Sequence, residues 1–349
     1  MPYQREVDSE NFLNIAVSAA ETVINSREYS LFVHAPAPEW SYRYKFILEG
    51  NDNPGQIVAR RYDTDLGGHS LGFWIRGAGP SNSPTRNLVD MYLCTDGLPI
   101  DQSPLFMGRA KMDSEFENRD PRLWNTIVIP GSRVVADGHE DFESAPNNIL
   151  KNPIPQKYPA PLSQQGGYKC FKYCGEYGPH WVWDKLMNFY HVIRYAEVLL
   201  IYAEATYEKD GSISDANLDK SINVLRKHVN MPDLTNAFVT ANGLNMLTEI
   251  RRERTIELAF EGFRREDLLR WKEAENVLPN DIKGVKWVGT EFETHFPDIV
   301  VGEHVKVDGD GFVIVESSSI RKFQSKHYLF PIPLKQIQLN SNLTQNPDW

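Results

Sequence analysis

Apolar side chains recur at helical spacing near both ends of the chain. Within residues 9–26, one apolar stripe is formed by Phe12, Ile15, Ala16, Ala19, Val23 and Ile24. This period predicts an amphipathic helix with a single buried face. Residues 191–208 are apolar on nearly every face, which predicts a helix buried at the centre of the fold.

The segment after this buried helix repeats the helical pattern. Residues 214–230 have apolar positions at helical spacing, and Ser214 is placed to cap their start. The Asp210-Gly211 pair predicts a short turn before them, so the two helices should form an antiparallel hairpin. A further helix is predicted over residues 246–261.

The middle of the chain lacks a sustained period and is rich in Gly, Pro, Asn and aromatic residues. We predict only a short helix at 85–93 and a hairpin turning at Pro130-Gly131 within it. The pattern as a whole indicates a mostly α-helical fold with a large loop-rich region and short β-hairpins. We divide it into a scaffold helix at 1–29, a loop-rich region at 30–190 and a helical region at 191–349, all parts of one intertwined domain.

Composition and charge narrow the classes of function. The 349 residues are 41% hydrophobic, enough for a sizeable core, and the formal net charge is −10. Such an acidic chain argues against nucleic-acid binding and against anionic membrane surfaces, since both need a basic face. The start MPYQREVDSENFL has no apolar leader, and no apolar run reaches the length of a membrane span. From these features alone we expect a soluble cytoplasmic protein.

The cysteines and one acidic turn are weak candidates for metal binding. Cys94, Cys170 and Cys174 are an odd number, so they form no disulfide framework. Cys170 and Cys174 have a spacing that could hold a metal, but no second Cys or His pair follows at a zinc-site distance. The turn VDGDG at 307–311 begins like a calcium loop and then lacks the later acidic ligands. We therefore predict neither a metal nor a cofactor.

The strongest catalytic candidate is a run of carboxylates. Glu253, Glu257 and Glu261 lie at i, i+4 and i+8, so the predicted helix carries them on one face. Paired carboxylates are the catalytic groups of glycoside hydrolases, which makes Glu257 and Glu261 a possible acid and nucleophile. However, neighbouring arginines lower the pKa of a carboxyl, whereas a general acid needs a raised one.

The same segment can instead be a structural ionic joint, and we favour this interpretation. The expected pairs follow the helical i+3 and i+4 rule. They are Glu261 with Arg265, Glu266 with Arg270, and Asp267 with Arg270.

Aromatic residues in the loops are the best candidates for ligand contact. Trp and Tyr faces stack on sugar rings or peptide side chains, and nearby polar groups then bond the ligand edge. For any single one of these residues, core packing remains the simpler explanation. The predicted ligand-binding residues are Trp40, Tyr42, Tyr62, Trp74, Arg76, Trp124 and Trp181.

Five segments, in order along the chain, resemble a known family. They are SPTRNLVDMYLCTDGLPI (83–100), NRDPRL (118–123), VIRYAEVLLIYAEA (192–205), IRRERTIELAFEGFRREDLLRWK (250–272) and YLFPIPLKQIQLNSNLTQNPDW (328–349). On these segments the chain is identified as a member of the SusD/RagB family.

The resemblance implies a fold and a function. Family members are non-enzymatic outer-membrane lipoproteins of Bacteroidetes with tetratricopeptide-like helix pairs. They bind glycans, or peptides in the RagB-like branch, at the cell surface and deliver them to a SusC-like TonB-dependent transporter. This revises the expected location from the cytoplasm to the cell outer membrane. Family members also begin with a leader, a lipidated Cys and more scaffold helices, so we expect this chain to be the C-terminal two-thirds of such a protein. A pure scaffold that binds no ligand is a third possibility, besides the binding protein and the glycoside hydrolase.

Overall fold

Helices dominate the computed structural model, which describes residues 5–48, 53–63, 65–71, 83–129, 166–174, 184 and 186–349. The first helices are α1 (Arg5–Ser26), α2 (Ser41–Tyr44), α3 (Arg86–Met91) and α4 (Pro121–Thr126). The central ones are α5 (Tyr195–Asp210), α6 (Asp215–Asp219), α7 (Ile222–His228), α8 (Asn236–Ala241) and α9 (Met246–Glu257). The last are α10 (Arg264–Arg270), α11 (Ala274–Val277), α12 (Glu291–His295) and α13 (Leu334–Leu339). Short 3-10 turns occur at Pro38–Trp40, Ser114–Phe116, Ser318–Ile320 and Ser325–Tyr328.

Within the described residues, four short strands form two separate antiparallel ribbons. Strand β1 (Gln56–Arg60) pairs with β2 (Tyr190–Arg194), and β3 (Ile282–Lys286) pairs with β4 (Phe312–Glu316). The mostly α-helical class predicted from the sequence is therefore confirmed, together with a few short strands.

The central helix α5 packs along α1, which supports it on one side. Ala20 of α1 and Val198 and Tyr202 of α5 are buried in this contact. The helix was predicted to begin at 191 but begins at Tyr195, because the preceding residues are extended and pair with β1. It ends where predicted, since Gly211 adopts φ 67° and donates its N–H to the Tyr207 carbonyl.

The predicted helix over 214–230 consists of two pieces, α6 and α7. Ser214 caps the first piece as expected, accepting the Asn217 N–H at 3.2 Å. Ser221 interrupts the helix with φ −132° and ψ −95°, and its hydroxyl donates to the Asn217 carbonyl at 2.6 Å. This hydroxyl competes for a carbonyl that a continuous helix would use, a common effect of serine.

Helix α9 is shorter than predicted, and this changes the geometry of its carboxylates. The helix ends at Glu257 rather than at 261. Phe260 and Gly262 then take positive φ values of 63° and 92°, which stop the helix before α10 begins at Arg264. Glu261 is therefore outside the helix, and the expectation of three carboxylates on one helix face is wrong for this residue.

The largest core joins the loop-rich middle of the chain to its C-terminal part. Its buried residues come from α3, α4, α9, α12 and both strands of the second ribbon. They include Tyr92, Leu123, Ile256, Trp287 and Val313, each of which has essentially no exposed surface. Since apolar burial is the main stabilising term of folding, this shared core binds the two predicted regions together.

Of the predicted turns, the one at 307–311 is present. Val307 and Val313 form a β-bridge, and Asp308 accepts backbone N–H groups from Asp310 and Phe312. The carboxylate of Asp308 thus stabilises a tight turn. The hairpin predicted at Pro130-Gly131 lies outside the described residues.

Cysteine and membrane features can be stated for the described residues. Cys94, Cys170 and Cys174 are buried free thiols. No group of three or more His, Cys, Asp or Glu side chains in the described ranges could hold a metal ion. Within those ranges, no helix has the length and apolar character needed to cross a membrane.

Gly284 is essential to the close approach between β3 and the segment at Gly166. A Cβ atom at 284 would lie 1.9 Å from the Gly166 carbonyl oxygen, which accepts the Val285 N–H at 2.7 Å. We expect Gly284→Ala to lower the free energy of unfolding by roughly 1–3 kcal/mol, through overpacking. Gly309→Ala is the control, because its Cβ would meet nothing within 4 Å. Urea unfolding measures both; equal stability of the two variants would contradict this packing.

Candidate functional site

The carboxylates of α9 enter a buried cluster of charges whose centre is Arg122. Arg122 lies in α4, and its Nη2 bonds the carboxylate of Asp120 at 2.7 Å. Its Nη1 reaches Glu253 at 2.5 Å and Glu257 at 3.1 Å. Arg226 binds the other oxygen of Glu253 at 3.0 Å. All of these side chains are almost completely buried, so each charge depends on its partners.

A second set of cations neutralises Glu257 and Glu261. Arg194, the last residue of β2, bonds Glu257 at 2.7 Å and Glu261 at 2.6 Å. Lys172 bonds Glu261 at 2.6 Å, and Lys45 lies 3.4 Å from Glu257. We call the combined cluster the ionic joint; its members are Lys45, Asp120, Arg122, Lys172, Arg194, Arg226, Glu253, Glu257 and Glu261.

The electrostatics of the ionic joint keep its carboxylates ionised. Burial alone would raise the pKa of Glu257, but Lys45 and Arg194 outweigh it and hold that pKa well below its usual range. For Glu261, burial is likewise outweighed, here by Arg194 and Lys172, so its pKa falls to about 2. Burial lowers the pKa of Lys45 to about 7 and that of Lys172 to about 8. The lowered carboxyl pKa expected from the sequence is confirmed, and it is opposite to what a general acid requires.

The predicted pair of Glu261 with Arg265 is wrong. Because α9 ends at Glu257, the two residues are not one turn apart on a helix. Glu261 instead accepts from Arg194 and Lys172, which come from distant parts of the chain. Arg265 is exposed and pairs with its neighbour Glu266 at 2.8 Å.

Helix α10 is attached to the scaffold by other contacts. The predicted pair of Asp267 with Arg270 is confirmed at 2.9 Å, whereas that of Glu266 with Arg270 is wrong. Arg270 reaches Glu204 of α5 instead, with Nη2 at 2.7 Å from the carboxylate. Asp267 also accepts from Arg254 Nε at 2.9 and 3.1 Å, which joins α10 to α9.

Tyr42 is buried against the ionic joint. Only 2% of its surface is exposed, and its hydroxyl donates to the Glu257 carbonyl at 2.6 Å. The same hydroxyl accepts from Lys172 Nζ at 2.9 Å. Ligand contact was predicted for Tyr42 from its aromatic type and its place in a loop, and its burial in α2 runs against that prediction.

Two other predicted ligand residues come together at the surface. Trp40 and Trp124 are half-buried and meet edge to face, with ring centroids 4.7 Å apart. Asn125 Nδ2 donates to the Glu39 carbonyl at 3.1 Å, which holds the two segments side by side. The buried ring of Phe171 supports Trp40 at 6.1 Å. We call Trp40 and Trp124 the tryptophan pair.

Tyr62 lies in a second aromatic group beside the first ribbon. Its ring is 4.5 Å from that of His69, and the Arg60 guanidinium lies 5.1 Å from its centroid. Tyr190 is opposite Arg60 in the strand ladder and is 39% exposed. Burial, and then the charges of Glu261 and Tyr62, raise the pKa of Tyr190.

Tyr190 was missed by the sequence analysis. It stands just before the stretch interpreted as a buried helix, so its exposure was not considered. The aromatic and β-branched residues in YHVIR (190–194) were the available signal for a strand. The remaining predicted residues, Trp74, Arg76 and Trp181, lie outside the described residues.

The chain thus combines a helical scaffold, a buried ionic joint and partly accessible aromatic groups. The sequence profile of the SusD family matches residues 49–349, most of the chain. The chain therefore belongs to the SusD family. No curated protein matches the chain.

Solved structures have the same fold at low sequence identity. A SusD-like carbohydrate-binding protein from Bacteroides fragilis is 23% identical with a TM-score of 0.67, over 96% of this chain and 62% of that one. A second SusD-like protein from the same species is 23% identical with a TM-score of 0.64, over 98% and 64%. Surface glycan-binding protein A from Bacteroides thetaiotaomicron is 19% identical with a TM-score of 0.52, over 97% and 60%. The chain thus spans less than two thirds of the length of these structures.

The ionic joint predicts a large difference between two glutamates of one segment. Glu257→Ala leaves Arg122, Arg194 and Lys45 buried with fewer partners, so we expect a loss of roughly 3–5 kcal/mol in unfolding free energy. Glu266→Ala removes an exposed pair and should cost less than about 0.5 kcal/mol. Arg265→Ala should be equally mild. Chemical denaturation measures all three, and a Glu257→Ala protein as stable as Glu266→Ala would contradict the role assigned to the joint.

Proposed function

We propose that the protein binds glycans at the cell surface and is not an enzyme. The main observation behind this proposal is that the candidate catalytic carboxylates and the candidate binding aromatics differ in their accessibility. Its strongest carboxylate pair, Glu257 and Glu261, is buried and fully engaged with cations, whereas the tryptophan pair and Tyr62 are partly accessible. Two structures of the same fold are described as a carbohydrate-binding protein and a surface glycan-binding protein, which supports the same ligand class.

The accessible aromatic rings have the chemistry that sugar binding needs. The C–H face of a pyranose packs on an indole or phenol ring, and hydroxyl groups at the sugar edge then need polar partners. Tyr62 offers a ring with Arg60 and His69 beside it. The tryptophan pair offers two indoles set edge to face, a rigid platform with few rotatable bonds. The proposed ligand set also includes three residues that are predicted from the sequence alone, Trp74, Arg76 and Trp181.

The alternative of a glycoside hydrolase is disfavoured by the state of its candidate acids. A retaining hydrolase needs one protonated carboxyl with a raised pKa beside the scissile bond. Glu257 and Glu261 have lowered pKa values, and their side chains are only 4% and 6% exposed. Incubation with polysaccharides should release no reducing ends, and their release would support the hydrolase.

Delivery of the ligand to a SusC-like TonB-dependent transporter at the cell outer membrane is the second part of the proposal. It rests on membership in the SusD family. Co-purification with the transporter encoded beside it tests this part, and a stable complex is the expected result. Failure to isolate that complex in the presence of glycan would contradict this part of the proposal.

Glycan binding should depend on the accessible aromatic rings. We expect Trp40→Ala and Tyr62→Ala each to weaken oligosaccharide binding about tenfold, the loss typical of an aromatic anchor. Phe330→Ala is the matched control, because Phe330 is 76% exposed and outside the proposed ligand set. Isothermal titration with a panel of oligosaccharides and peptides gives the affinities, and melting curves verify that each variant is folded.

Three outcomes of that titration are informative. Binding of an oligosaccharide that both variants weaken and the control does not would support the proposal. Binding of peptides but no sugar would assign the protein to the RagB-like branch. Unchanged glycan binding in Trp40→Ala and Tyr62→Ala would show that these rings do not contact the glycan.

A further inference from the structure

A cavity of about 480 Å³ lies on the scaffold beside the turn that follows α9. Its volume is within the range of small-molecule sites in proteins. It is bounded by the start of α3, by the turn between α9 and α10, and by the segment from α11 to β3. None of the aromatic residues assigned to glycan binding lines it. Its apolar wall is formed by Leu88, Leu258, Phe263, Leu268, Val277 and Leu278.

Cations also line the cavity, and most of them already have acidic partners. They are Arg254, Arg264, Arg265, Lys283 and Arg321. Lys283 pairs with Asp308 at 2.6 Å, and Arg321 pairs with Glu316 at 3.0 Å. Arg265 pairs with the adjacent Glu266, and Arg254 pairs with Asp267.

Arg264 is the cavity cation without an acidic partner among the described residues. Its Nη1 donates to the Thr255 hydroxyl at 2.9 Å, a neutral acceptor that is itself part of the wall. Arg264 can therefore offer a full positive charge to a ligand in the cavity.

Two carboxylates, Asp267 and Asp281, also line the cavity. Asp267 is paired with Arg254 and Arg270, and Asp281 accepts the Ser318 backbone N–H at 2.5 Å. Arg264 is therefore the lining cation that is available to an acidic ligand.

We propose that this cavity binds a small organic acid that carries one carboxylate on an apolar body. Five cations and two carboxylates line the cavity, and Arg264 is the one cation left without an acidic partner among the described residues, which favours a singly charged carboxylate over a doubly charged phosphate ester. The planar fork of arginine also matches a carboxylate with two hydrogen bonds. The leucine-rich wall of the cavity would pack against the apolar body of the ligand. The same chemistry occurs in a free acid and in the C-terminal residue of a peptide.

The probe for this site is N-acetyl-leucine, which has one carboxylate and one branched apolar side chain. Isothermal titration at pH 7 and fixed ionic strength should detect its binding to the full chain. N-acetyl-leucine amide removes the charge, and N-acetylglycine removes the apolar body. We expect each of them to bind at least about tenfold more weakly than N-acetyl-leucine.

Two variants locate the binding in this cavity. Arg264→Gln removes the unpaired cation from an exposed position and should weaken N-acetyl-leucine about tenfold. Asn87→Trp places an indole in the cavity from another exposed position and should abolish binding. Arg61→Gln is the charge control, because Arg61 is exposed and paired with Asp63. Melting curves verify that the variants fold.

A second titration distinguishes a free acid from the C-terminal residue of a peptide as the ligand. Acetyl-Gly-Gly-Gly-Leu with a free C-terminus is compared with its amidated form and with N-acetyl-leucine. Tighter binding of the free peptide indicates a peptide end, and equal binding indicates that the acid alone suffices; both results support the carboxylate site. Absence of N-acetyl-leucine binding at millimolar concentration overturns the proposal. Equal binding of acid and amide overturns it as well, as does wild-type affinity in both Arg264→Gln and Asn87→Trp.

Discussion

The need to pair buried charges is the constraint on which the rest of this structure depends. An isolated charge in a protein interior costs several kcal/mol, so every member of the ionic joint requires its partners in place. Those partners come from segments that are far apart in the chain. Arg122 meets Glu257 across 135 residues, and Arg194 meets Glu261 across 67. The joint therefore defines how the loop-rich middle of the chain sits against α9.

The aromatic surface depends on this joint. Tyr42 is bonded to the Glu257 carbonyl and to Lys172, and Trp40 stands two residues before it at the start of the same segment. Likewise, Trp124 lies in α4 together with Arg122, a member of the ionic joint. Both members of the tryptophan pair are thus carried by elements that the ionic joint holds in place. Rings fixed in advance lose little entropy when a ligand binds, which suits a binding protein.

The sequence allowed prediction of much of the fold, because local patterns determine local structure. The buried helix α5, the cap at Ser214 and the end at Gly211 all follow from spacing and residue type within a few positions. The early end of α9 and the strand before α5 were missed. The strand depends on the pairing of β2 with β1, a distant contact that helical spacing does not report. The end of α9 depends on the positive φ values of Phe260 and Gly262, which apolar spacing does not report either.

The candidate site was less predictable for the same reason. The i+4 rule pairs Glu261 with Arg265, but the observed partners Arg194 and Lys172 are 67 and 89 residues away. Aromatic type and loop position could not separate buried Tyr42 from half-buried Trp40, since these residues are only two positions apart in the same segment. The sign of the electrostatic effect on Glu257 and Glu261 was predicted correctly, but from neighbouring arginines. The cations that lower these pKa values are Lys45, Arg194 and Lys172, which are distant in the chain.

A double-mutant cycle on Arg194 and Glu261 tests the central claim most directly. These side chains share hydrogen bonds at 2.6 and 2.8 Å and are both 6% exposed. The unfolding free energies of wild type, Arg194→Met, Glu261→Gln and the double variant give their coupling energy. If the ionic joint holds the fold together, the two losses will be strongly non-additive, with a coupling of about 1–3 kcal/mol. Additive losses within about 0.3 kcal/mol would contradict the account.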